Sequence, residues 1–380
     1  MNTVKLYDDN AYLTEFTAAV LSCDKTERGF AVVLDKTAFF PEEGGQNCDS
    51  GTLGDAKVSY VSLKDGVITH FTDKELSGEV TGKINWAPRF DKMQQHTGEH
   101  IVSGLVFKKY GYNNVGFHLG DDDVTFDFDG MLTRAQLDEI EREANEVIYK
   151  NVAVTAGYPD ILAELEYRAK LDLTENVRIV EIEGVDKCAC CAPHVRRTGE
   201  VGIIKLLEAG AYKGGVRIHM ACGMRAVRDY QIKFDNLAVI SNALSSGKNN
   251  AAEFFERYSA ETVSLKAQLS QCKKEMLSLK ARVIGKTEGN IVLFEEDMDG
   301  GMIRNFVNML EGKYGKACAV FVKKAENEYN FAAASDSVPM RAVAERMKKE
   351  LFARAGGSDK MIQGSVMTDR ESIEKFFESL

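Results

Sequence analysis

Two pairs of metal-type side chains, His96/His100 and Cys190/His194, stand about 90 residues apart, and whether they meet decides much of how this chain can fold. His96 and His100 are four positions apart, which on a helix stacks two side chains on one face. Two imidazoles so placed can bind one zinc ion through ring nitrogens. The second pair lies in Cys188-Ala189-Cys190-Cys191-Ala192-Pro193-His194, where the proline argues for a turn. A Cys/His pair alone also reads as a nucleophile with its base. Joined to His96 and His100, it completes a set of three nitrogens and one sulfur, with Cys188 and Cys191 as substitute ligands. A competing reading takes His96-Thr97-Gly98-Glu99-His100 as H-x-x-E-H, an inverted zinc-peptidase pattern with Glu99 as general base. That reading has no use for Cys190 and His194. It also leaves Gly98 in the helix, where glycine costs about 1 kcal/mol relative to alanine.

Cysteine usage agrees with a metal or thiol site. Eight cysteines in 380 residues are too sparse for a disulfide scaffold, and three of them crowd into four positions, as in a reducing compartment. No run of about 18 apolar residues occurs, so no membrane span is expected. Residues 1–16 lack the basic start and apolar stretch of a signal peptide, so a cytoplasmic location is expected. The net charge of -10 argues against coating nucleic acid by bulk charge, but it leaves room for local basic surfaces.

The pattern along the chain predicts an α+β fold in four parts. Residues 1–87 read as a small β-barrel, with short alternating runs such as Phe30 to Leu34 between glycine turns. Residues 88–232 read as a mixed α/β core with an antiparallel sheet. Its helices are expected near 89–110 and 133–151, and its strands near 115–119, 124–128, 177–182 and 202–207. Residues 233–285 read as a long helical linker. There Phe255, Tyr258, Thr262, Leu265, Leu269, Cys272, Met276, Leu279 and Val283 alternate steps of three and four, as in a coiled-coil seam. The plainer alternative is a helix packed on its own chain. Residues 286–380 read as a C-terminal α/β domain ending in a glycine-bearing loop over 354–365.

Three segments then carry a family likeness. Phe39-Phe40-Pro41-Glu42-Glu43-Gly44-Gly45-Gln46, followed by Asp49-Ser50-Gly51, is an aromatic pair, then GGQ, then D-x-G. Gln95 to Ser103 holds the H-x-x-x-H helix, and Cys190 to Val195 with Thr198-Gly199-Glu200-Val201-Gly202 holds C-x-x-x-H-V and a T-G-E run. Gly116-Phe117-His118-Leu119-Gly120 and Gly215-Val216-Arg217-Ile218 add an F-H-x-G strand and an R-I strand. In these the chain resembles the editing region of alanyl-tRNA synthetase and the free-standing alanyl-tRNA editing proteins of the long AlaX type. Its last part resembles the DHHA1 domain attached to them.

The resemblance implies hydrolysis of mischarged tRNA(Ala), freeing serine or glycine from the terminal ribose ester. It implies zinc held by His96, His100, Cys190 and His194. It makes Thr37 and Gln46 the candidate catalytic residues that read the serine hydroxyl, and Gly44, Gly45 and Arg217 the candidate substrate contacts. A site that hydrogen-bonds a hydroxyl rejects the analogue lacking it. The start near the barrel, and the lack of a G-x-x-x-x-G-K-[ST] loop, imply editing in trans without ATP. Phosphate contacts are expected from Lys273, Lys274, Lys280, Arg282 and Lys286, or from residues 341–360, where six basic residues face three acids. A homodimer through the linker or the C-terminal domain is expected. The non-enzymatic alternative is a tRNA-binding protein with structural zinc.

Overall fold

From Glu15 to Ile84 many side chains alternate between buried and exposed, as strands with one wet face require. The computed structural model describes residues 2–27, 29–121, 124–159, 166–169 and 177–380. They fall into two compact units, Met1–Ala238 and Val239–Leu380.

The first unit opens with β1 (Val4–Lys5), α1 (Leu6–Asp9), β2 (Glu15–Thr26), β3 (Gly29–Leu34) and β4 (Lys36–Thr37), with β4 parallel to β1. Next come β5 (Gly51–Leu53), β6 (Ala56–Lys64), β7 (Val67–Thr72) and β8 (Glu79–Ile84). Six strands pair in the ring β2-β3-β7-β6-β5-β8 and close a barrel. Closure leaves none of the six with an unpaired edge. Val32, Leu34, Val58, Val61, Phe39 and Phe40 fill its core.

Between β4 and β5 the chain leaves the barrel as a loop carrying Gly44, Gly45 and Gln46. Its base is clamped: the Phe40 N–H donates to Asp49 Oδ2 at 2.7 Å, and the Asp49 N–H to the Phe40 carbonyl at 2.9 Å. Asp49 is paired with Arg89 in nearly complete burial, and Arg89 also donates to the carbonyls of Ala38 (2.6 Å) and Ala11 (3.0 Å). Removing either partner would leave a buried charge uncompensated, a loss of about 3–5 kcal/mol.

Arg89 belongs to α2 (Trp86–Tyr110), which is buried on most sides between Met93 and Val106. A helix enclosed in this way needs no polar face. Gly98 sits here because a Cβ would lie 2.3 Å from Cys222 Sγ, and at Gly104 a Cβ would lie 2.6 Å from Asp186 Cβ. Close approach of the neighbouring strands thus outweighs the helical preference for alanine.

After α2 come β9 (Asn114–Leu119), β10 (Val124–Phe128) and α3 (Arg134–Lys150), which Thr133 opens with a full capping box to Gln136. β11 (Val154–Gly157), β12 (Ile179–Ile182) and β13 (Asp186–Ala189) form one antiparallel sheet. β14 (Ile204–Tyr212) and β15 (Gly215–Cys222) join β10 and β9 in a second, ordered β14-β15-β10-β9. The strand expected near 202–207 begins later, because Thr198–Val201 is a 3-10 turn whose Thr198 hydroxyl donates to the Val147 carbonyl at 2.9 Å. Then α4 (Gly223–Ala243) starts well before residue 233, so that position is not the start of a helical element.

The second unit contains α5 (Ala251–Val283), β16 (Ile291–Glu295), α6 (Gly300–Met309), β17 (Cys318–Ala325), β18 (Glu328–Ala334), α7 (Met340–Glu350), β19 (Arg354–Gly357), β20 (Met361–Met367) and α8 (Arg370–Glu378). Its sheet runs β16-β17-β18-β20-β19, with β16/β17 parallel and the other pairs antiparallel. The loop expected over 354–365 is instead a hairpin. Its glycines serve strand contact, since a Cβ at Gly364 would meet the Arg354 carbonyl at 1.8 Å. On α5 only Ala251, Leu277 and Ala281 are buried, whereas Leu265, Leu269, Leu279 and Val283 are exposed. Among the described residues no helix is long and apolar enough to cross a membrane.

Candidate metal centre

The two sequence pairs meet. His96 and His100 project from α2, while Cys190 and His194 come from the loop after β13, and one ligand atom from each lies within 4.8 Å of the others. Cys190 Sγ is 3.5 Å from His96 Nε2 and 3.4 Å from His194 Nε2. Each imidazole is held from behind at its other nitrogen. Gln46 Oε1 is 2.8 Å from His96 Nδ1, Asp186 Oδ2 is 3.1 Å from His100 Nδ1, and Thr97 Oγ1 is 3.0 Å from His194 Nδ1. An amide oxygen and a carboxylate can only accept, so those Nδ1 atoms donate and turn the Nε2 lone pairs of His96 and His100 inward.

The electrostatics fit a cation. Burial pushes the Cys190 thiol well above its ordinary value, and the neighbouring Cys191 adds to this. Burial also pushes His194 well below its ordinary value, with His100 and His96 adding to the effect. A divalent ion removes both penalties, because it takes a thiolate and neutral imidazoles as ligands. Behind His100, burial raises Asp186, but hydrogen bonds from His100 and Arg168 outweigh it and hold the carboxyl at about 2. Arg168 grips that carboxylate through two bonds of 2.7 and 2.8 Å. Cys188 belongs to a second, overlapping group with His100 and Asp186, and Cys191, pushed up to about 12 by burial and by Glu43, stands in the adjoining wall.

A cavity of about 570 Å³ opens on this centre, and Gly44, His96, Glu99, His100, Phe117 and Cys190 are among its lining residues. Gln46 lies behind His96, fully buried. Gly44 (φ +63°) faces the cavity, whereas Gly45 (φ +84°) presses on the chain itself, where a Cβ would lie 2.3 Å from the Phe117 carbonyl. Leu119 N–H donates to the Gly45 carbonyl at 2.7 Å, which docks the loop on β9 and delivers Gln46.

Two sequence candidates are not brought to the centre. Thr37 is 0% exposed in the barrel, with its hydroxyl 2.8 Å from His70 Nε2 and accepting the Phe39 N–H at 3.1 Å. Arg217 lies on β15, bonded to Asp127 at 2.7 and 2.8 Å and stacked 3.8 Å over the Tyr212 ring. Conversely, sequence reasoning missed Asp186, Thr97 and Arg178. Arg178 donates to the carbonyls of Cys190 (3.1 Å) and Ala192 (2.9 Å) and so shapes the ligand loop. Thr97 was visible inside the histidine motif, but nothing local named its partner. Asp186 and Arg178 lie in ordinary strand-like surroundings that carry no signal.

Residues 177–219 match the family model described as Threonyl and Alanyl tRNA synthetase second additional domain, a span that includes Cys190 and His194. An alanyl-tRNA editing protein AlaX-L of Pyrococcus horikoshii is 29% identical, over 97% of this chain and 96% of its own length. Alanine–tRNA ligases of Ignicoccus hospitalis (31%) and Halobacterium salinarum (35%) match over 73% of this chain, which spans 32% of their length. A C-Ala domain structure from Aquifex aeolicus alanyl-tRNA synthetase covers 23% of this chain and 90% of that one, at 18% identity and a TM-score of 0.20, a likeness that carries no fold argument. With a near full-length match to an editing protein, and a ligand loop inside the shared synthetase domain, the chain belongs to the alanyl-tRNA editing family in its long AlaX form.

Proposed function

We propose that this protein hydrolyses the ester of mischarged tRNA(Ala), removing serine, with glycine as second substrate, from tRNA charged elsewhere. The observation that carries the reading is the convergence of three imidazoles and one thiol, each imidazole braced at its outer nitrogen, beside a cavity of about 570 Å³ that His96, His100 and Cys190 line. The donor set suits zinc. When bound there, zinc polarises the ester carbonyl, lowers the pKa of a water to about 7, or orients the substrate. The chain's own part is positional. Gln46 and Asp186 fix the rings of His96 and His100, Arg178 holds the loop of Cys190 and His194, and Phe117 packs 4.6 Å from the His96 ring as an apolar wall.

Catalytic zinc sites keep one position open. Four donors converge here, so turnover requires one to yield or the coordination to expand. This supports a second reading, a tRNA-binding protein whose zinc is structural. A peptidase centred on Glu99 gains nothing from the fourth donor, Cys190. In the editing reading Gly44 faces the acceptor end. Thr37, whose hydroxyl is committed to His70 and Phe39, acts on selectivity only through the loop it anchors, and Arg217 lies on a tRNA-facing strand. Residues 286–380 correspond to a DHHA1-like domain. Lys274, Arg282, Lys286, Lys349, Arg354 and Lys360, which carry no ion pair among the described residues, reach for phosphates. The exposed stripe of α5 pairs with a second copy.

The deciding experiment compares hydrolysis of seryl-tRNA(Ala) and alanyl-tRNA(Ala) by metal-replete protein, by His96→Ala and by Cys190→Ala. Seryl-selective release, lost in both variants, is expected. Binding without release from either ester would favour the structural-zinc reading, and full activity in a variant with an empty site would sink the role of the metal.

A further inference from the structure

Glu99 is the one carboxylate on α2 that lies between two ligands of the centre, three positions after His96 and one before His100. It is 3% exposed and lines the same cavity as His96, His100 and Cys190. Side chains at 96, 99, 100 and 103 share one face of a helix. Two neutral donors, the Ser103 hydroxyl and the Asn114 amide, fall on its Oε1. Asn114 also donates to Ser103 Oγ at 3.2 Å, so the three side chains form one rigid triangle. Among the described residues no hydrogen bond or ion pair falls on Oε2.

A nearly buried carboxylate with one fixed and one vacant oxygen has no cation in direct contact with the vacant one, an arrangement that favours a charged donor there. The charge of Arg168 reaches it through space, but the Arg168 guanidinium is already gripped by Asp186 through two bonds. With Arg168 committed to Asp186, and a metal at the neighbouring centre committed to its own four ligands, the vacant oxygen stands open to a cation that enters the cavity. An aminoacyl ester brings one: its α-ammonium nitrogen is two bonds from the ester carbonyl carbon. A group that places the carbonyl at the histidine/cysteine centre therefore places the ammonium within a side chain's reach of residue 99.

We propose that Glu99 Oε2, beside His96 and His100 and braced by Asn114 and Ser103, accepts the α-ammonium of the bound aminoacyl group and so selects an unblocked amino acid. The proposal rests on the editing reading for the identity of the ester, and it assigns that site a polar contact distinct from the metal ligands. It also gives the Asn114–Ser103 pair a positioning task. A general base at Glu99 would act on every ester alike, whereas an ammonium acceptor acts only on substrates with a free amine.

The test uses two non-hydrolysable probes, 3′-seryl-amido-3′-deoxyadenosine and its N-acetyl derivative. Their Kd values are measured by calorimetry on the zinc-loaded full chain and on Glu99→Gln, which keeps an oxygen for Asn114 and Ser103. Zinc content of both proteins is assayed alongside. The wild type is expected to prefer the free amine by about tenfold to a hundredfold, the range of a lost charged hydrogen bond. Glu99→Gln should abolish that preference while leaving zinc content and the Kd for the acetylated probe unchanged. A preference that survives in Glu99→Gln overturns the proposal, as does a wild type that binds both probes equally. If Glu99→Gln is unstable, Asn114→Ala and Ser103→Ala, which free Oε1, should each reduce the preference, and neither doing so counts against it. Hydrolysis of seryl-tRNA(Ala) and N-acetyl-seryl-tRNA(Ala) is followed separately. Turnover with no amine discrimination would retire the Glu99 role alone, and no turnover with amine-selective binding would retire the editing reading alone.

Discussion

At the scale of single residues, Thr37 and His70 form a polar pair buried inside the barrel, away from the metal centre. His70 Nδ1 lies 3.2 Å from the Val32 carbonyl and so donates, which makes Nε2 the acceptor of the Thr37 hydroxyl. Burial holds His70 down at about 4, against 6.5 in the unfolded chain. The sign follows directly. Both states are neutral above pH 6.5, while below it the unfolded chain takes up a proton that the fold refuses until about pH 4. The barrel's stability should therefore be full above pH 6.5 and fall between 6.5 and 4, by up to about 3 kcal/mol. Urea midpoints at pH 7 and pH 4.5 should separate more in the wild type than in His70→Gln. Thr37→Val strands Nε2 and the Phe39 N–H and should lower the midpoint at pH 7 by the equivalent of about 1–3 kcal/mol. Equal pH slopes in wild type and His70→Gln would remove His70 from this account.

At the scale of elements, what could be read in the sequence was what local spacing controls. The histidine helix, the Thr133 cap and the strand at 124–128 are all set by neighbours within a turn or a pleat, and the structure has them in place. What could not be read depends on distant partners. Gly98 looked like a weakness until Cys222 was seen against it, and the glycines near 354–365 looked like a loop until Arg354 and Gly364 were seen paired. The α5 seam is intermediate. Its three–four spacing was visible, but no element of its own unit covers Leu265 and Leu269, which are 56% and 57% exposed. If a second copy covers it, sedimentation should show a dimer that Leu265→Glu with Leu269→Glu converts to a monomer, with the His96/His100/Cys190/His194 centre untouched. A wild type that sediments as a monomer at all concentrations would leave the stripe to another partner.

At the scale of the whole molecule, the centre joins parts of the first unit that the chain order keeps far apart: α2, the loop leaving the barrel, and the segment after β13. That His96, His100, Cys190 and His194 could meet was legible because metal chemistry narrows the choice to a few residue types. The braces behind these four side chains were not, since an aspartate or a threonine gains that meaning only from where the fold puts it. The same convergence makes a bound ion a clasp across a loop of about 90 residues. Closing a loop of that size takes configurational freedom from the unfolded chain, which model estimates put at a few kcal/mol. Chelation should accordingly lower the melting temperature of the first unit and open it to proteases, leaving the second unit's melting unchanged, and identical melting with and without chelator would refute this. If the ion is zinc, as proposed, a cell short of it would lose this protein in two ways at once, by an idle cavity and by a shorter lifetime.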